Sequence, residues 1–343
     1  LSLRRQRQMC IRDSNKSKVV QFKMYPLKLI PAVKDYIWGG TKLKTDFGIK
    51  SDLEKVAEAW TLSCHKDGAN IIANGSDKGK TLAAWLEEKG FEVLGSKGKS
   101  LDSFPVLIKL IDAKDNLSVQ VHPYDEYAHR VEHEQGKTEA WYVIDCEEGA
   151  ELIYGFKKEI SSQEFEERIM NNTLLDVVNS VPVKKGDLFF IESGTLHAIG
   201  KGILLAEVQQ NSNSTYRVYD YGRVGADGKP RELHIKKAVD VTSCTPPTHP
   251  YGAKPVTEKG DGYEVTELVN CDIFKSYSVK IDGEYSDKAG EESFVSLLSL
   301  DGDFAFSCGD TSLTLNKGES IFIPANMGEY TVKGKGEILK VTL

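Results

Sequence analysis

Pro105-Val-Leu-Ile-Lys-Leu-Ile-Asp-Ala113, Lys114-Asp-Asn116 and Leu117-Ser-Val-Gln-Val-His-Pro123 read in turn as a buried strand, a turn and a second strand. In an extended chain successive side chains alternate faces. Ser118, Gln120 and His122 therefore share one side of the second strand, and Val119 and Val121 the other. The interior of a β-barrel is normally apolar, so a Ser/Gln/His face turned inward needs polar partners. A metal ion is a natural one. Two more candidate ligands follow: Glu139 in Thr138-Glu-Ala-Trp-Tyr-Val-Ile144, and His197 in Gly194-Thr-Leu-His-Ala-Ile-Gly200.

The same short-strand pattern extends outward from this segment. AWYVIDC (140–146), ELIYGF (151–156), NSVPVKKGDLFFIESG (179–194) and ILLAEVQQ (203–210) continue it. FVSLLSLDGDFAFSC (294–308), TSLTLNKGESIFIPA (311–325) and EYTVKGKGEILKVTL (329–343) end it. Many short strands without a βαβ alternation predict a mainly β chain: two cupin- or jelly-roll-like antiparallel barrels with a few short helices. Helices are expected over 81–90, ending at a Gly C-cap, over 124–134, and after Ser161, which opens a Ser-x-x-Glu capping box. A Pro/Thr-rich break at Thr245-Pro-Pro-Thr-His-Pro250 divides the chain into a 24–250 catalytic domain with the metal site and a 251–343 C-terminal barrel. Lys185-Gly-Asp-Leu-Phe-Phe-Ile191 is echoed by Lys317-Gly-Glu-Ser-Ile-Phe-Ile323. The second copy has no histidine to match His197, and none occurs after His249, so one metal site per chain is expected.

The 343 residues are 40% hydrophobic and 28% charged, with a net charge of -7. That balance argues against nucleic acid or an anionic membrane as the main partner, and no apolar run is long enough to span a bilayer. No obligate protein partner is evident. Six scattered cysteines without a Cys-x-x-Cys pair read as reduced thiols, which places the chain in the cytoplasm. The first 23 residues are basic and lack an initiator Met and an h-region. They read as a non-native leader with the start near Met24, expected to be disordered, against a functional basic arm as the rival.

Gln120, His122, Glu139 and His197 supply an amide oxygen, two imidazoles and a carboxylate, a donor set for zinc or another first-row divalent ion. The surrounding motifs closely resemble the type I mannose-6-phosphate isomerases, a zinc-dependent cupin family, in its short bacterial form. The matched pieces are Ile37-Trp-Gly-Gly40, Glu58-Ala-Trp60 with Ser63, Asp115 to Pro123, Lys137-Thr-Glu139, Gly194-Thr-Leu-His197, and Glu207 through Ser214-Thr-Tyr-Arg217. They run in the family's order from about residue 26 to 240. The resemblance implies that Gln120, His122, Glu139 and His197 bind one Zn2+, and that mannose 6-phosphate and fructose 6-phosphate interconvert through an enediol. It further implies an active-site arginine at Arg217, functional positions at Glu207 and Lys137, a phosphate-contacting serine at Ser118, and a second phosphate cation near Arg223. Glu207 is the preferred general base; Lys137 or a metal-bound water are the alternatives.

Blander readings accompany these. Trp38 is a pocket wall or a packed aromatic at a tight turn, and Glu58 and Trp60 share one strand face at a pocket or in the core. His129 and His133, at i, i+4, read as a solvated helix face. Arg217 alone could be a structural partner of Asp220. A cupin iron oxygenase and a non-catalytic sugar-phosphate sensor are the rival functions; the first leaves the phosphate-binding cations unexplained.

Overall fold

The structure, a computed structural model, describes residues 24–225 and 228–343. The leader for which disorder is expected lies outside the described residues. Among them are three antiparallel sheets, of ten, seven and five strands, and five short α-helices. The chain is mainly β, as expected. Helices occupy Leu82–Lys89, Asp125–Val131 and Ser162–Met170, with Thr81 and Ser161 capping the first and third by accepting from the backbone N–H groups of Ala84 and Glu164. No helix is long and apolar enough to cross a membrane.

The expectation of closed barrels is corrected: each sheet is open. The edge strands hold two to five residues, from Ile71–Ile72 and Gly252–Ala253 up to Val178–Pro182, too few to carry a hydrogen-bonded seam. The first unit is instead a sandwich. Its seven-stranded sheet runs Gly252–Ala253, Asp187–Ile191, Glu139–Cys146, Ile203–Gln210, Val106–Ala113, Glu58–Leu62 and Ala32–Lys34. Opposite lies the five-stranded sheet, Tyr216–Tyr219, Val119–Val121, His197–Ala198, Glu151–Phe156 and Val178–Pro182.

The sandwich explains the inverted strand around Gln120. Val119 and Val121 face outward into an apolar layer made by Tyr127, Phe165, Ile169, Ala238 and Val241 of the covering helices. The polar face is thereby left to the interior. The outer face of the larger sheet is buried too. Ile108, Leu110, Tyr142, Leu204 and Val208 share one core with Phe294, Leu298, Phe322 and Leu339 of the C-terminal unit.

The C-terminal unit repeats the order of the larger sheet. Leu27–Ile30, Ser320–Ile323, Val295–Asp301, Gly328–Thr342, Lys275–Ala289, Tyr263–Asn270 and Glu258–Gly260 succeed one another as the seven strands of the first unit do. The sequence echo at Gly186 and Gly318 is therefore structural. Both glycines have positive φ, 89° and 82°, and each donates its N–H to the adjacent strand, to Val143 and Ser299. The slot beside the strand that carries each echo is filled crosswise in both units, and in the ten-stranded sheet Ile71–Ile72 adds an edge beyond Leu27–Ile30. Leu27–Ile30 pairs with Ser320–Ile323, and Gly252–Ala253 pairs with Asp187–Ile191.

The two turn glycines differ in what surrounds them. A Cβ on Gly186 would meet open space, whereas one on Gly318 would lie 2.6 Å from the Phe47 carbonyl oxygen. Gly186→Ala should cost about 1–2 kcal/mol for the left-handed backbone alone. Gly318→Ala should cost more, because a backbone atom must also move. Urea midpoints of the two variants test this, and equal shifts would refute the close approach.

Candidate metal centre and active-site cavity

Two cross-strand rows face each other inside the first sandwich. On the larger sheet the register aligns Trp60 with Lys109, Lys109 with Glu207, Glu207 with Trp141, and Trp141 with Phe189. Residues directly opposite in adjacent strands point to the same face. Glu58 and Glu139, two residues from Trp60 and Trp141, extend the row on that face. On the smaller sheet Arg217 pairs with Gln120, Gln120 with His197, and His197 with Tyr154. Ser118 and His122 flank Gln120 on its strand face.

Three of the four expected ligands converge. His122, Glu139 and His197 are buried and can place one donor atom each within 4.8 Å of one another. His122 Nδ1 meets the Ser214 carbonyl at 2.9 Å and His197 Nδ1 the Thr195 carbonyl at 2.8 Å. A carbonyl only accepts, so both Nδ1 atoms carry the hydrogen and both Nε2 atoms are unprotonated acceptors. Those two Nε2 atoms lie 3.1 Å apart. Protonation does not relieve the clash easily. Burial pushes His197 down to about 4, and burial together with Lys137 and His197 pushes His122 well below the usual imidazole range.

Glu139 is fully buried, and its Oε1 receives no hydrogen bond while lying 3.4 Å from His197 Nε2. Burial, and then the neighbouring Glu207, raise its carboxyl to about 7. Two opposed lone pairs and an orphaned carboxylate oxygen are what a cation would satisfy, and a backbone carbonyl behind each imidazole is the usual support for a metal-ligating histidine. The donors present therefore fit a divalent ion. Gln120 Nε2 sits 3.4 Å from His197 Nε2 while its Oε1 accepts from Ser118 Oγ at 3.3 Å. Turning the amide by half a rotation points the oxygen at the same cluster.

Beside the cluster lies a cavity of about 290 Å³. Trp38, Ser118, Gln120, Lys137, Glu207 and Arg217, all expected site residues, line it, together with Tyr36, Glu58, Lys109 and Arg231. Lys137 Nζ is 2.9 Å from Glu139, 3.1 Å from His122 Nε2 and 3.9 Å from Glu207. Glu207 accepts from Trp141 Nε1 at 2.8 Å and pairs with Lys109 at 2.9 Å. Burial alone would raise the Glu207 carboxyl, but Lys109 and Lys137 overcome it and hold it at about 2. Trp60 Nε1 holds Glu58 in the same manner at 2.7 Å.

Arg217 Nη1 donates to the Glu232 carbonyl, while its buried Nε has no acceptor. Asp220 is taken by Arg223 and Arg231 instead. Arg223 is not brought to the cavity: its guanidinium turns to the Asn116 carbonyl and Asp220. His129 and His133 are exposed. Sequence reading missed Lys109 and Arg231. The signal for Lys109 was present: one cation in the apolar run PVLIKLIDA and one anion in ILLAEVQQ.

The family model for the type I phosphomannose isomerase catalytic domain matches residues 26–157, and that for the mannose-6-phosphate isomerase cupin domain matches 264–343. The chain belongs to the type I phosphomannose isomerase family. It is 41% identical over 310 residues to the putative mannose-6-phosphate isomerase YvyI of Bacillus subtilis, covering 90% of this chain and 96% of that one. It is 38% identical over 315 residues to mannose-6-phosphate isomerase ManA of the same organism, covering 92% and 98%. The crystal structure of a mannose 6-phosphate isomerase from Bacillus subtilis superposes with a TM-score of 0.85 at 38% identity, covering 93% of this chain and all of that one. A phosphomannose isomerase structure from Salmonella typhimurium, at 17% identity and a TM-score of 0.75, shares the fold.

Lys109 is the hinge of the site's electrostatics, paired with Glu207 and 3.9 Å from Glu58. Lys109→Met should cost about 3–5 kcal/mol at neutral pH, because it strands buried carboxylates. Depressed in the fold from 4.5 to about 2, Glu207 contributes stability above its unfolded value and loses it as pH falls toward 2. The gap between wild type and Lys109→Met should therefore narrow below about pH 4.5 in urea titrations. A gap independent of pH would contradict the pairing.

Proposed function

We propose that this chain interconverts mannose 6-phosphate and fructose 6-phosphate through an enediol, in the cytoplasm, with one zinc ion held by His122, Glu139, His197 and Gln120. The observation that carries the reading is the pair of unprotonated Nε2 atoms 3.1 Å apart beside the orphaned Glu139 oxygen, at the edge of a cavity walled by cations. The relatives' names supply the substrate, and the free thiols of Cys64, Cys146, Cys244, Cys271 and Cys308 agree with a reducing compartment.

A divalent ion bound there would polarise the sugar carbonyl and its neighbouring hydroxyl. Removing the C2 proton of the aldose moves its bonding electrons into a C1–C2 double bond and leaves negative charge on O1. Returning that proton to C1, while the O2 hydrogen passes to O1 and C2–O2 becomes the carbonyl, completes the ketose. Glu207, ionised at neutral pH and facing the cavity, is the base we assign to this transfer. Its low proton affinity makes it a weak base, so the carbon acid has to be strongly activated. Lys109, Lys137 and Arg217 supply positive charge around the developing enediolate. Ser118 is assigned to the phosphate, and Trp38 to the wall that keeps water from the sugar ring.

A coupled assay with mannose 6-phosphate, with and without chelator, tests the reaction, and activity should vanish with the metal. His197→Ala should lose metal and turnover together. Arg217→Ala should keep its metal and lose about 10²–10³ in kcat. Turnover in a metal-free His197→Ala protein would overturn the ligand assignment. Oxygen consumption by an iron-loaded sample that never exchanges the C1 or C2 proton would replace the reaction itself.

A further inference from the structure

His122 and His197 are supported in different ways. The carbonyl behind His197 Nδ1 belongs to Thr195, two residues back along the chain, at 2.8 Å. The carbonyl behind His122 Nδ1 belongs to Ser214, 92 positions away, at 2.9 Å. The first support is built into the local sequence. The second exists only if a loop from another part of the first unit is held in place.

Glu134 holds that loop. Its Oε2 accepts from Ser214 Oγ at 3.0 Å and from the Asn213 N–H at 3.3 Å. Its Oε1 lies 2.9 Å from Lys66 Nζ and 3.6 Å from His65 Nε2. His65 is buried, packed nearly perpendicular to the Trp60 ring, and its Nδ1 accepts from the Asp67 N–H at 3.1 Å. The neutral imidazole therefore turns its Nε2 hydrogen toward Glu134. Asn213 Nδ2 reaches on to Asp67 Oδ2 at 2.9 Å, so residues 65–67 and 213–214 are tied at two points. The turn that delivers Glu134 is itself strained. His133, just past the helix Asp125–Val131, has φ 56°, a left-handed conformation that a non-glycine residue keeps only where its surroundings fix it. Burial would raise the Glu134 carboxyl, but Lys66, Ser214 and Asn213 hold it below the usual range.

We propose that Glu134 is a positioning residue of the metal centre, fixing residues 213–214 so that the Ser214 carbonyl holds His122 in the rotation and tautomer that present Nε2 to the ion. The proposal rests on the reading of His122, Glu139 and His197 as ligands. Glu134 does not line the cavity and acts only through that carbonyl. An imidazole that loses the acceptor behind Nδ1 is free to rotate and to move its hydrogen to Nε2, and either change removes a donor from the ion. Of the two histidines, His122 is thus the one whose ligation depends on tertiary structure far along the chain.

The test is Zn2+ affinity of the full chain stripped of metal, read by competition with a chromogenic chelator, together with the visible spectrum of the Co2+-loaded protein, which reports ligand geometry. Glu134→Ala should weaken Zn2+ by about ten- to a hundredfold and change the Co2+ spectrum, with much of the lost turnover restored by excess Zn2+. Glu134→Gln keeps an oxygen for Ser214 and Asn213 and gives up only the exposed pair with Lys66, so it should stay near wild type. Glu132→Ala is the control: Glu132 lies in the same loop but accepts from Tyr216 and Lys237, and Zn2+ affinity should be kept. Unchanged affinity and spectrum in Glu134→Ala would overturn the proposal. So would an equal loss in Glu132→Ala, which would make the order of the whole loop responsible. If Glu134→Ala does not fold, Ser214→Ala carries the test, because it removes a donor to Glu134 and leaves the backbone carbonyl. It should weaken Zn2+ severalfold, and no change would overturn the proposal. A wild type that binds no Zn2+ sinks the metal centre and this proposal with it, whereas Zn2+ binding that ignores Glu134 and Ser214 sinks this one alone.

Discussion

The ion pair between Lys109 and Glu207 is the constraint around which the first unit is arranged. Each residue sits in the middle of a strand whose eight residues are all buried, and the two strands are central neighbours in the larger sheet. Neither charge could stay there alone, because an unpaired buried ion costs several kcal/mol. The pair therefore specifies register. Sliding either strand by one residue would turn its charge to the face packed on the C-terminal unit, among Phe294, Leu298 and Phe322. In this way one interaction aligns Trp60, Trp141 and the carboxylates beside them into a single row.

The second row arises from the opposite device. A strand of three residues, Val119–Val121, gives its apolar face to a helical layer outside and its polar face to the interior. Helices on the outer face make that inversion affordable in a small sheet. The consequence is an interior that is half apolar, around Phe189, Ile191 and Leu205, and half charged. The C-terminal unit has the same strand order and fills the equivalent space with Val279, Ile281, Leu297, Phe306, Val332 and Ile338. One topology therefore serves twice, once for packing and once for charge.

Most of the site was legible in the sequence because strand alternation is a local property. Ser118, Gln120 and His122 are separated by two residues each, so their shared face needs no tertiary knowledge. Glu139 and His197 stand out as metal-ligating side chains at the mouths of apolar segments, and the order of the motifs joins them to Gln120 and His122. Lys109 interrupts an apolar strand, but its meaning depends on a partner 98 positions away and on a register that only the sheet supplies. Arg231 was harder still. Its place is set by the turn at Tyr221 and Gly222 and by Asp220, so spacing along the chain points to Arg223 instead. The barrels failed as an expectation for a related reason. Strand count and alternation are visible locally, whereas closure depends on what the edge strands meet.

The crosswise edge strands also lie beyond local reading, and they bear on how the halves depend on each other. Leu27 and Leu29, both buried, complete the C-terminal sheet, and Pro31 separates them from Ala32–Lys34, which returns to the first sheet. Gly252–Ala253 makes the reverse crossing after the Pro/Thr-rich break. Each sheet thus takes a strand from the far side of the chain. Between them lies the apolar layer shared by Ile108, Leu110 and Tyr142 on one side and Phe294, Phe322 and Leu339 on the other. The outer face of the strand that carries Lys109 is part of that layer. The C-terminal unit offers none of the residues placed here at the cavity, yet it packs on the back of the sheet whose front face holds Lys109 and Glu207. Its contribution to the site is to keep that sheet, and therefore the row of charges, in one register.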